Sequence, residues 1–141
     1  MITIKNDLAN FKINVNDLIK VKGNLQVGFF ESAKYPNGIQ VASVAFFNEF
    51  GTLKIPMRPF FRNAINDNTK KWFASLQQLI AYDNARALDR VGEIVRSDIV
   101  NSITNLRTPP NSEATIKRKG SSNPLIDTGL LRRSVTYKVV K

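Results

Sequence analysis

The chain has 141 residues, 21 Lys/Arg against 11 Asp/Glu, a net charge of +10, and neither cysteine nor histidine. That length suits one domain with a core of its own, able to bury roughly two-thirds of its unfolded surface without staples. The missing residue types remove disulfides, thiolate metal sites, Ser-His and Cys-His nucleophile pairs, and the commonest general base.

The first 22 residues open with alternating Ile2-Thr3-Ile4. Leu8, Phe11, Val15, Leu18 and Ile19 then come at helical spacing, with Asp7 as a candidate cap. No secretory apolar stretch is present, and no run is long enough to span a bilayer; the expectation is a cytoplasmic protein with no membrane partner. Gly23-Asn24 reads as a turn and Leu25–Glu31 as a strand, with Gly28 marking a bulge or a close neighbour. Tyr35-Pro36-Asn37-Gly38 is a strong turn sequence.

Residues 40–50 carry Val41, Ala42, Val44, Ala45 and Phe46, with Phe50 one turn on. Val and Phe favour strand; Ala, Glu49 and the stop at Gly51 favour helix, which is the preferred reading. The link Ile55-Pro56-Met57-Arg58-Pro59-Phe60-Phe61 is stiffened by its two prolines and orients the helical segment after it. Arg58 has no local reason for its place, and the expectation is a pair with Glu49 across the hinge or a contact with a neighbouring subunit.

Pro59 opens a helix over about 60–80, in which polar Asn66–Lys71 reads as a surface-crossing turn. A second helix covers 83–106, capped by Asp83 or Asn84. Its apolar stripe is Leu88, Val91, Val95, Ile99, Ile103 and Leu106, and Gly92 permits a close crossing. Pro109-Pro110-Asn111 ends it, Ser112 caps a short helix over 113–119, and Gly120 stops that helix. Asp127 or Thr128 caps a further turn. Ser134–Val140 alternates as a terminal strand with Val135, Tyr137 and Val139 on one face. The fold expected is α+β: a small antiparallel sheet packed against two long helices, with 104–125, poor in apolar residues, as an interface loop or arm.

No catalytic, metal-binding or cofactor-binding motif stands out, and the chain reads as a non-enzyme. Gly120-Ser121-Ser122 after Lys117-Arg118-Lys119 lacks the preceding strand and the spacing of a phosphate loop. Charge is uneven: residues 107–141 hold eight Lys/Arg and two Asp/Glu, six of the net ten positive charges. Lys117, Arg118, Lys119, Arg132 and Arg133 are the candidate anion-facing residues. Tyr137 is the only aromatic near them in sequence, which disfavours base stacking but leaves non-specific phosphate contact open.

Three groups of residues together resemble a known family. They are Val27-Gly28-Phe29-Phe30-Glu31 with Tyr35-Pro36-Asn37-Gly38 and Val41-Ala42; Asn48-Glu49-Phe50-Gly51-Thr52 with Ile55-Pro56-Met57-Arg58-Pro59-Phe60; and Pro109-Pro110-Asn111, Thr115, Lys119-Gly120 and Pro124–Leu131 followed by a basic pair and Ser134. Their order and spacing over residues 25–138 resemble the neck and tail-completion proteins of tailed bacteriophages, the tail-component family of virion morphogenesis; the helix pair between the Pro-rich segments has no position-by-position match. The resemblance implies a structural virion protein with no cofactor, assembled in the host cytoplasm. It would form a homo-oligomeric ring, sixfold or twelvefold, around the DNA channel between head connector and tail. Its partners would be other copies of itself, head-closure or connector proteins, and tail-terminator or tail-tube proteins, with genomic DNA as a non-specific contact. A tail-terminator role lies close by within the class; a small basic nucleic-acid-binding protein is the alternative from another class. Glu49, Arg58, Pro109, Pro110, Asn111 and Asp127 are the candidate subunit or partner contacts on this reading.

Overall fold

A computed structural model describes the backbone of residues 2–3, and residues 21–127 and 129–141. The helix expected over 8–19 lies outside the described residues, as does Thr128. The architecture is α+β. Strands β1 (Ile2–Thr3), β2 (Asn24–Gly28) and β3 (Thr136–Val140) form an antiparallel sheet in the order β1-β2-β3. The helices are α1 (Val41–Phe50), α2 (Phe60–Asp83), α3 (Ala87–Asn105), α4 (Glu113–Lys119) and α5 (Leu130–Arg133), with a 3-10 turn, Asn84–Arg86, between α2 and α3.

The two long helices fold back on one another. Asp83 leaves helical geometry (φ −151°, ψ 82°) and the three-residue turn reverses the chain. Phe60 then lies beside Ser102, whose hydroxyl donates to the Phe60 carbonyl at 2.6 Å, and Trp72 lies beside Asp98. The Trp72 indole N–H donates to Asp98 Oδ2 at 2.6 Å, and Lys71 Nζ sits 2.6 Å from the same oxygen. One carboxylate thus satisfies a buried indole while staying paired.

The stripe read from the sequence of α3 is the core: Val91, Val95, Ile99 and Ile103 are buried against α2 and the sheet. Leu25 and Val27 of β2 are buried beside them, in register with Val139 and Tyr137. Gly92 meets β3 so closely that a Cβ there would fall 2.4 Å from Tyr137 Cδ2. The close crossing expected of this glycine is therefore between helix and sheet.

Several expectations need correction. Residues 66–71 are not a turn; α2 runs through them. Asn68 lies four residues from both Ala64 and Trp72, on the buried stripe, and its Nδ2 donates to the Ala64 carbonyl; Thr69 Oγ1 donates to the Ile65 carbonyl. Polar side chains bonded to the preceding turn keep the helix intact where composition alone suggests a break. Strand β2 stops at Gly28, short of Glu31, and β3 starts at Thr136. Neither Asp83 nor Asn84 caps α3 with its side chain, and α5 is entered through Gly129 (φ 80°) with no side-chain cap. Ser112 caps α4 as expected, accepting from the Thr115 amide, and Gly120 (φ 69°) ends it.

Candidate functional site

The link between α1 and α2 is built by two charged side chains that the sequence presents nine residues apart. Glu49 lies on the buried stripe of α1 with Val41 and Ala45 and is only 6% exposed. Its Oε2 accepts from the Phe61 amide at 2.9 Å and its Oε1 from the Arg62 amide at 3.1 Å. These are first-turn donors of α2 that have no partner within their own helix. The Pro59 side chain has no capping group, so a carboxylate from the preceding helix takes that role, at the end where negative charge is favoured. Arg62 completes the corner. Its Nε donates to Glu49 Oε1 at 2.8 Å, and one terminal nitrogen reaches the Glu49 carbonyl and Met57 Sδ. Its guanidinium lies 5.1 Å from the Phe50 ring centroid.

Arg58 points the other way. The expected Glu49–Arg58 pair does not form, because Glu49 is occupied by Arg62 and the α2 amides. Arg58 is 4% exposed, and its guanidinium grips the chain fifty residues on. Nε donates to the Pro109 carbonyl at 2.9 Å, while one terminal nitrogen donates to the Pro110 carbonyl at 3.2 Å and to Asn111 Oδ1 at 3.0 Å. All three acceptors are neutral, and no carboxylate pairs with Arg58 among the described residues. Burial pushes the guanidinium below its ordinary pKa.

Residues 104–125 are thus docked on the body of their own chain. Asn123 is buried, and its Nδ2 donates to the Thr104 carbonyl at 2.7 Å while its Oδ1 accepts from the Leu125 amide at 3.0 Å. Lys119 turns inward: Nζ reaches the carbonyls of Asn123 (3.3 Å) and Pro124 (3.4 Å). Burial lowers its pKa most; Asp127 opposes that shift, and the positive charges of Arg58 and Arg118 add to it.

Between this arm, the 35–39 turn, α1 and the Pro-rich link lies a groove of about 680 Å³. It brings together Arg58, Pro110, Asn111, Arg118, Lys119 and Asp127 from the predicted set. Tyr35 lines it too, its phenol held above the usual pKa by burial and, secondarily, by Asp127. Asp127 is exposed. Lys117, Arg132 and Arg133 do not line the groove; Lys117 and Arg133 are exposed and Arg132 is half-buried. The predicted basic cluster is therefore split between a surface and a groove wall. Glu49 and Arg58, two of the candidate subunit contacts, are both buried within the protomer and bonded there.

The other outstanding surface is on α1. Phe46, Phe47 and Phe50 are 58%, 43% and 53% exposed, and the rings of Phe46 and Phe50 lie 4.7 Å apart between centroids. Leu53 and Met57, on the link that follows, are exposed as well. Grouping Phe46 and Phe50 with the apolar run in the sequence concealed this. The signal was present: α1 is apolar nearly all round, and one face of a ten-residue helix cannot bury every such side chain. Sequence reasoning also missed Arg62 and Asn123, whose roles depend on partners distant in the chain.

No family model matches the chain, and no curated protein or solved structure matches it. Among the described residues no cluster of carboxylates could hold a metal ion, and no helix is long and apolar enough to cross a membrane.

Proposed function

We propose that the chain is a structural, non-enzymatic subunit of the neck of a tailed bacteriophage. It joins head connector to tail within a homo-oligomeric ring around the DNA channel, in the tail-completion role. The observation that carries an assembly role is the exposed aromatic face of α1. Phe46 packs against both Phe47 and Phe50, and with exposed Leu53 and Met57 on the link that follows they make an apolar surface of the kind that marks a protein–protein interaction site. Aromatic and Met side chains are also those enriched at interface cores. The three groups of residues that resemble the neck family supply the particular assembly.

The double variant Phe46→Ser/Phe50→Ser tests this reading. Wild-type protein, co-expressed with connector and tail-tube proteins of the same phage, is expected to enter rings visible by electron microscopy. The variant is expected to keep its helical circular dichroism and thermal midpoint yet stay outside the rings. A wild-type chain that remains monomeric beside those partners, and is missing from purified particles, overturns the proposal. A tail-terminator role would place the ring on the distal face of the joint, which the same images distinguish.

One observation favours the basic nucleic-acid-binding alternative: Lys117, Arg118 and Arg133 are exposed, and the chain carries +10. That reading expects tight binding of duplex DNA by the isolated chain, falling steeply with salt. Weak free DNA affinity together with ring formation favours the neck.

A further inference from the structure

We propose that the groove beside the Arg58 clamp binds an extended peptide segment bearing a carboxylate side chain, supplied by a partner protein. This deepens the assembly reading, and rests on it for which protein supplies the segment. The volume, about 680 Å³, lies within the roughly 300–1,000 Å³ common to ligand clefts. Among the described residues four cations line it, Lys54, Arg58, Arg118 and Lys119, against one carboxylate, Asp127, a formal excess of three positive charges. Two of the four, Arg58 and Lys119, are drawn into the wall and bonded only to neutral oxygens. Arg58 is buried with no carboxylate paired to it among the described residues, which is costly, whereas Lys119 has Asp127 nearby; a carboxylate entering here gains most beside Arg58.

Asn111 gives the groove a second feature. A guanidinium can only donate, so Asn111 must turn its oxygen to Arg58 and its Nδ2 away. That nitrogen is buried with no hydrogen-bond partner. An unmade bond of this kind is among the more expensive local defects a fold keeps. Asn111 lines the groove, and an acceptor reaches this enclosed nitrogen when the amide turns outward. A free donor beside surplus positive charge selects an anionic acceptor.

The walls choose peptide over nucleic acid. Ile39, Val44, Ile55, Leu125 and Leu131 line the same groove, together with Pro56, Pro110 and Pro124. Successive side chains of an extended peptide point to opposite sides, so a carboxylate can face the cations while its neighbours face the apolar wall. A duplex does not enter a cleft of this size, and a single strand, which sets planar bases rather than aliphatic side chains against the apolar wall, is the competitor in the test. A second copy of this chain, itself at +10, is a poor electrostatic match.

The test uses the whole protein and an end-blocked hexapeptide alternating leucine and glutamate, with the leucine–glutamine version as control and single-stranded oligothymidine as competitor. Binding is read by fluorescence anisotropy. The glutamate peptide is expected to bind at least about tenfold more tightly, the ratio for about 1.4 kcal/mol gained when charge-assisted bonds replace neutral ones. Asn111→Asp keeps an acceptor for Arg58 but replaces the free donor with a carboxylate oxygen; it should abolish the preference without lowering the thermal midpoint. Lys119→Gln should reduce it several-fold.

Equal binding of the two peptides, no binding of either, or a preference untouched by Asn111→Asp overturns the proposal. So does full displacement by oligothymidine, which would make this a phosphate site, or self-association that blocks the peptide. Rings that form while the glutamate peptide fails to bind leave the assembly reading standing and remove this one. Peptide binding without rings does the reverse.

Discussion

The helix–sheet body and the hinge–arm region are held together by different physics. In the body, α2, α3 and the sheet bury aliphatic and aromatic surface, and no single group decides the outcome. In the hinge and arm, a few polar side chains reach backbone groups: Glu49 to the α2 amides, Arg58 to the 109–110 carbonyls, Asn123 to the Thr104 carbonyl. Apolar packing is non-directional and spreads its contribution over many contacts, whereas such hydrogen bonds depend on one atom being in one place. The body should therefore fail globally when damaged. The arm should fail locally.

The largest effect sharpens the first half of that contrast. Ile103→Ala removes fully buried volume from α3 and is expected to lower stability by about 2–5 kcal/mol, read by urea denaturation. Gly92→Ala should come next, at about 1–3 kcal/mol of overpacking, because its Cβ falls on the Tyr137 ring. Pairing it with Tyr137→Ala should restore part of the loss; a double variant no better than the glycine change alone would mean the crossing is tight for another reason.

Glu49→Ala tests the border between the two regions. It leaves the Phe61 and Arg62 amides without their acceptor and is expected to cost about 1–3 kcal/mol, with early fraying of the first turn of α2 seen by hydrogen exchange. Arg58→Met should be the break that tells the regions apart. Amides in residues 106–123 are expected to exchange much faster and proteases to cut there, while the thermal midpoint of the body shifts little. A cooperative collapse of the whole chain in this variant would show that arm and body are one unit. Deleting 109–123 strands a buried guanidinium, since it removes all three Arg58 acceptors. The smallest effect is Ser112→Ala, at about 0.5–1 kcal/mol and confined to α4, from loss of the exposed cap bond.

Legibility in the sequence divides along the same line. The stripe of α3, the alternation of β3 around Val135, Tyr137 and Val139, the stop at Gly51 and the Ser112–Gly120 frame of α4 were all readable, since each depends on neighbours within one or two turns. Asn68 misled for a local reason: a polar residue on an apolar stripe looks like a break until its amide is seen bonded to the preceding turn. The pairing of Arg58 was out of reach. Its charge suggested Glu49, nine residues away, while its partners lie past residue 108 and carry no charge.

Local pattern was enough for the α+β class, the two long helices, the strands at either end of the core and the rigid Pro-rich link. Periodicity and turn chemistry are short-range properties, and they survive the loss of tertiary context. Packing of the whole chain was needed before Glu49 could cap α2, Arg58 could bind the arm, and Phe46 and Phe50 could be left facing outward. Those outcomes depend on which surfaces the packed body leaves uncovered and on which backbone groups it leaves without partners. Neither is fixed until residues distant in the chain have met.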